Sequence, residues 1–149
     1  MIAIKKNINL GLTISEKQLL KAKGILQKNI TNYAIDEIAS VINATPHRAK
    51  TLTALYEFQS IPSIGIKFAE DLILLGYYNL SSLQHKSAPE LLNTYEKTIG
   101  YRIDPCVEDQ FRLVVHYANY PDSTKKWWDF TAERKAFRNK HGYPADRPL

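Results

Sequence analysis

Apolar residues in this chain recur at spacings of three and four and almost never alternate with polar ones. Each run is short, cut off by a capping residue, a proline or a glycine. A half-buried strand would show a period of two, so the pattern predicts a set of short amphipathic helices. The fold class read from it is all-α, with seven or eight short helices and no convincing sheet.

The punctuation places them. Residues 1–13 read as an arm or a short extended piece. Ser15 is expected to cap a helix running to about Lys28, with Leu19, Leu20, Ala22, Ile25 and Leu26 inward, and Asn29 to Asn32 read as a break. A short helix follows from about Ala34 to Ile42. Thr45-Pro46 is a cap followed by a proline at the first helical position, where a missing N–H costs nothing. That helix runs to about Gln59 and the next from about Lys67 to Leu75, stopped at Gly76. Ser87 opens a helix that ends near Gly100. Asp104-Pro105 opens another, in which Val107, Phe111, Val114, Val115 and Ala118 form the cleanest apolar stripe. Thr131 to His141 read as a short basic helix halted by Gly142.

The chain has 149 residues, enough for one domain or two very small ones. Hydrophobic residues at 44% and charged residues at 23% argue against a largely disordered chain. A single cysteine, Cys106, excludes an internal disulfide framework and a cysteine-rich zinc finger. No apolar run approaches the ~20 residues of a membrane span. The opening stretch has lysines without a following apolar h-region, so a cytoplasmic location is expected. The net charge is +5, and both ends are basic around a near-neutral middle: residues 1–60 carry eight Lys or Arg against four Asp or Glu. Such a field favours polyanions, and it equally serves ordinary solubility.

The most informative stretch is Ile61-Pro62-Ser63-Ile64-Gly65-Ile66-Lys67-Phe68-Ala69, between two amphipathic helices. It resembles the helix-hairpin-helix motif, hydrophobic-Pro-Gly-hydrophobic-Gly followed by a lysine and a small residue. The first turn of a helix has unpaired N–H groups and partial positive charge, and a glycine there removes the Cβ from an approaching backbone. The resemblance implies DNA binding through phosphates at Ser63, Ile64, Gly65, Ile66 and Lys67, with little base readout. Ser63 departs from the pattern, standing where the motif has its first glycine. The bland alternative is a tight corner in which proline and glycine serve geometry alone. Downstream, Thr98 to Asp104 reads as a degenerate second hairpin, with Gly100 and Arg102 as its phosphate contacts.

Several segments together narrow the resemblance. IPSIGIKFAEDLILLG, then Asp104-Pro105-Cys106 with Asp109, Phe111 and Arg112, then Lys126-Trp127-Trp128, resemble the bacterial pathogenicity-locus helix-hairpin-helix family over residues of about 55–130. That family is small and all-helical, and its biochemical role is poorly defined. Upstream, residues 35–58 resemble a helix-turn-helix whose second helix would offer His47, Arg48 and Lys50 to DNA; a plain helical pair is the alternative.

Signals for catalysis are thin. Cys106 and His116 lie ten residues apart on one expected helix, about 15 Å along its axis, too far to act as nucleophile and base. The histidines show no metal-binding spacing, and there is no glycine-rich nucleotide loop. Trp127, Trp128 and Phe130 are expected to close a small helical core, with stacking on unpaired bases as the alternative. Arg134, Lys135, Arg138 and Lys140 are expected to form a solvated basic face. The whole reads as an N-terminal helical segment (1–54), a SAM-like helix-hairpin-helix domain (55–120) and an aromatic-rich C-terminal extension (121–149). The expected function is non-catalytic, sequence-tolerant DNA binding without a cofactor. The alternatives are a protein-interaction module in which the hairpin is architectural, and an accessory subunit of a DNA-processing complex.

Overall fold

The computed structural model describes residues 7–149, so the first six residues of the expected arm lie outside the described residues. Among the described residues the chain forms α-helices and 3-10 turns and no strand. The helices are α1 (Ile14–Ala22), α2 (Ile35–Val41), α3 (Pro46–Gln59), α4 (Ile66–Leu74), α5 (Ala88–Ile99), α6 (Cys106–Asn119) and α7 (Thr131–His141). The 3-10 turns are Gln27–Asn32, Leu80–Leu83 and Trp127–Phe130.

Two helices organise the packing. Against α3 lie α2, α4 and the first 3-10 turn; against α6 lie α5, α7 and the other two 3-10 turns. Phe111 of α6 joins the two groups. Its ring meets that of Phe68 in α4 edge-on at 4.9 Å and that of Tyr95 in α5 at 5.9 Å. Buried aromatic pairs of this kind contribute about 0.5–1.5 kcal/mol beyond the area they remove from water. One continuous apolar core results, running from Leu10 to Phe130.

Most starts and stops match the sequence signals. Thr45 Oγ1 accepts the Arg48 N–H, Ser87 Oγ accepts that of Glu90, and Asp104 Oδ1 accepts that of Cys106. The first helix is the exception at both ends. Thr13, not Ser15, is the cap, because it has Glu16 at the third helical position: Thr13 Oγ1 accepts the Glu16 N–H while Glu16 Oε1 accepts the Thr13 N–H. The helix stops at Ala22 rather than near Lys28. Gly24 takes a φ of +69°, and the Ile25 N–H folds back to the Leu20 carbonyl at 2.9 Å. That bond, with the one from the Gly24 N–H to the Lys21 carbonyl at 3.0 Å, belongs to the left-handed glycine stop that closes many helices. Leu26, expected inward, is exposed as a result.

The expected solvated face of α7 is also corrected at two of its four residues. Arg134 and Arg138 point into the protein. Arg134 Nε donates to Asp109 Oδ1 at 2.9 Å, and Thr131 Oγ1 donates to Asp109 Oδ2 at 2.8 Å. Arg138 Nε donates to Glu108 Oε1 at 2.7 Å, and its Nη2 donates to the Pro89 carbonyl and Asn93 Oδ1. Further on, Arg147 grips Glu96 with two hydrogen bonds, at 2.7 and 3.0 Å. Glu96, Glu108 and Asp109 are all fully excluded from solvent. A carboxylate so placed needs a cation and hydrogen-bond donors, and these arginines supply both. Lys135 and Lys140 do face solvent.

Removing one member of such a pair leaves the other charged and desolvated. Asp109→Ala is therefore expected to lower the unfolding free energy by about 3–5 kcal/mol, while Lys135→Ala on the outer face changes it by no more than ~0.5 kcal/mol. Urea titrations of both variants beside the parent chain measure this.

Candidate functional site

The turn between α3 and α4 is built on two buried anchors. Ile61 and Ile64 are wholly buried, and the Ile64 N–H donates to the Ile61 carbonyl at 3.2 Å. The two residues between and beyond them carry an inverted chemistry. Ser63 has a φ of +65°, the left-handed region that glycine reaches freely and a Cβ-bearing residue occupies at a cost of about 1–2 kcal/mol. Gly65 has an ordinary extended backbone, with φ −102°, that any residue could adopt.

Ser63 is explained by its side chain. Its Oγ accepts the N–H of Trp127 at 3.1 Å, across 64 residues of sequence. Gly65 has no internal explanation of that strength. A Cβ built there would meet nothing within 4 Å, so neither backbone strain nor packing excludes a larger residue. Gly65 is the N-cap of α4, and no side chain caps the first turn of that helix. The turn carries no acidic residue, and Lys67 extends from it with its side chain 86% exposed. Asp71 lies one turn on, its Oδ1 3.5 Å from Lys67 Nζ, a loose pair between an exposed ammonium and a carboxylate that is itself buried.

The Ser63 hydrogen bond sets the segment 125–128 against this turn. Lys125, Lys126 and Trp128 are exposed there, while Trp127 is half-buried and Phe130 buried. Of the three aromatic side chains expected to close the core, two turn inward and Trp128 does not. Lys126 Nζ sits 6.0 Å from the centre of the Trp128 ring. The exposed cations and the uncapped helix start thus share one region.

The other sequence candidates are placed differently. Gly100 ends α5 in the left-handed conformation. The Arg102 Nε donates to the Pro148 carbonyl at 2.7 Å, and the Ile103 N–H donates to Glu96 Oε2 at 3.0 Å. The tail therefore holds Arg102, and Glu96 of α5 holds the Ile103 amide. Burial favours the neutral form of Glu96, but the Arg147 hydrogen bonds and the Ile103 amide outweigh it and hold its carboxyl below the usual range.

His47, Arg48 and Lys50 open α3. Arg48 faces α1: its Nε and Nη2 donate to the two oxygens of Glu16 at 2.9 and 2.8 Å, and Nη2 also reaches the Gly11 carbonyl. His47 and Lys50 stay exposed around Tyr78, with Lys50 Nζ 4.3 Å from the ring centre. The Cys106 thiol is pushed up by burial and by the neighbouring Asp104, which keeps it protonated. Among the described residues no group of three or more His, Cys, Asp or Glu side chains is placed to hold a metal ion. Nor is any described helix long and apolar enough to cross a membrane.

Two outcomes follow. Ser63→Ala keeps the unfavourable backbone and loses the Trp127 acceptor, so it should cost about 1 kcal/mol, whereas Ser63→Gly relieves the backbone by a similar amount and should stay near the parent. Thermal denaturation of the two variants checks this difference. Glu16 is held at about 2, against an ordinary value of 4.5, first by the Arg48 hydrogen bond, against the effect of burial, and then by Thr13. A carboxyl lowered on folding stabilises the fold above its unfolded value and stops doing so as pH falls through its folded value. The stability advantage of the parent over Glu16→Gln should thus be full above about pH 4.5 and gone by about pH 2. Paired denaturation curves across that range read it directly.

No curated protein and no solved structure matches the chain. A family comparison does: the Pathogenicity locus family matches residues 51–136, which contain the α3–α4 turn, both inner carboxylates of α6 and the Trp127–Trp128 segment. The match covers more than half of the sequence, and the chain belongs to the Pathogenicity locus family.

Proposed function

We propose that this chain is a non-catalytic DNA-binding protein that grips the phosphate backbone, with little sequence preference, through a helix-hairpin-helix formed by α3, the 60–65 turn and α4. The observation that carries this reading is Gly65. A glycine stands at a position whose backbone and neighbours would accept a side chain, at the open start of a helix with no acidic residue in its first turn. A partner outside the protein supplies the missing reason, since a phosphate must come within hydrogen-bond distance of those amides. Lys67 adds an exposed point charge in the first turn of the helix, and Lys125 and Lys126 are exposed on the segment that Ser63 holds through the Trp127 N–H. Ser63 replaces the usual glycine of such a hairpin, and its hydroxyl is engaged by Trp127, so Gly65, Ile66 and Lys67 are the phosphate-facing residues in this reading. The second turn, whose Arg102 is engaged by the tail and whose Ile103 amide is engaged by Glu96, and Arg48, held by Glu16, are left in structural roles.

Contacts of this kind bind through counterion release. With about four phosphates engaged, log K against log salt should fall with a slope of about −3 to −4. Gly65→Ala is expected to change stability by less than ~1 kcal/mol, a Gly-to-Ala change at a helix cap. The same substitution should weaken duplex binding at least tenfold, for unrelated duplex sequences alike. Lys67→Glu should weaken it similarly and flatten the salt slope by about one unit. Anisotropy titrations of two labelled duplexes at several salt concentrations measure all three. Unchanged binding by Gly65→Ala, or no binding by the parent at low salt, would return the turn to an architectural role in a protein-interaction module.

A further inference from the structure

The segment against the turn carries a second kind of chemistry. In a 3-10 turn side chains three apart share a face, so Trp127 and Phe130 point together into the core and Trp128, between them, points out. Trp128 is 53% exposed. It meets Trp127 edge-on, at 83° between planes, and is stacked flat on no other ring among the described residues. Lys125 and Lys126 precede it, and the carboxylate of Asp129 accepts the Lys126 amide. The position of this segment is fixed at both ends. The Trp127 N–H is held by Ser63, and Phe130 is buried immediately before α7, whose Thr131 and Arg134 grip Asp109.

We propose that Trp128 is a stacking platform for an unpaired base, so that the ligand is DNA in which a single-stranded stretch adjoins a duplex. This rests on the phosphate reading above and narrows it. The bases of an intact duplex are already stacked on one another, and a ring at this position gains a partner only where a base has left the stack. Flanking lysines suit the phosphates of the displaced strand, and a rigid indole suits any base. Charge selects the partner class here, since the ring is accompanied by cations rather than by an apolar groove.

The test compares a blunt duplex with the same duplex extended by a few unpaired nucleotides at one end. Wild-type protein should bind the extended DNA on the order of tenfold more tightly. Trp128→Ala should lose that preference while holding blunt-duplex affinity within about twofold, and Trp128→Phe, which keeps a ring, should retain most of it. Circular dichroism confirms that each variant is folded. Equal wild-type affinity for the two DNAs, or a preference that survives Trp128→Ala, overturns the stacking proposal and leaves the phosphate reading standing. Binding of both DNAs that ignores Gly65→Ala and Lys67→Glu, or no binding of either, overturns the reading beneath it.

Discussion

Glu96, Glu108 and Asp109 are sealed from solvent on α5 and α6, and everything C-terminal to α6 is arranged around them. An ionised carboxylate inside a protein is tolerable only with a matching cation and donors for its lone pairs. Here the cations come from Arg134, Arg138 and Arg147, on α7 and the tail, and, for Glu108, also from Arg112 of α6. These pairs hold α7 and the tail as a layer against α5 and α6. That layer includes the Trp127–Phe130 turn, and through the Trp127 N–H it reaches Ser63. The geometry of the candidate site therefore depends on charges some distance from it.

The same logic operates at the other end of the chain. Arg48 closes on Glu16 and the Gly11 carbonyl, and so ties α1 to α3. The family match begins at residue 51 and ends at residue 136. Arg48, Arg138 and Arg147 all lie outside it, yet two of them neutralise carboxylates inside it. The flanking segments are thus coupled electrostatically to the matched region and share its apolar core.

Local signals made most of the helices legible. Thr45-Pro46, Ser87 and Asp104-Pro105 act within four residues of themselves, and so do the stops at Gly76, Gly100 and Gly142. The stop at Gly24 was equally local, but the apolar Ile25 and Leu26 continued the helical spacing and masked it. What the sequence could not display was the fate of the charged residues. Arg134 finds Asp109 across 25 positions, Arg138 finds Glu108 across 30 and Arg147 finds Glu96 across 51. No periodicity of one helix distinguishes an arginine that will be buried by such a partner from Lys135 beside it. The α3–α4 turn lay between. Its proline and glycine mark it in the sequence, but only the structure separates Ser63, explained by its hydrogen bond to Trp127, from Gly65, which nothing internal explains.

In the proposed DNA-binding role, the open start of α4, with the 125–128 segment beside it, is the surface that DNA touches. An amide-resolved NMR titration with a short duplex bearing a single-stranded end tests that most directly. The amides of Gly65, Ile66 and Lys67 should shift progressively with added DNA, joined by the backbone and indole signals of Trp128, while those of α2 and the exposed face of α7 stay in place. Shifts confined to other surfaces, or a spectrum indifferent to DNA at low salt, would contradict it.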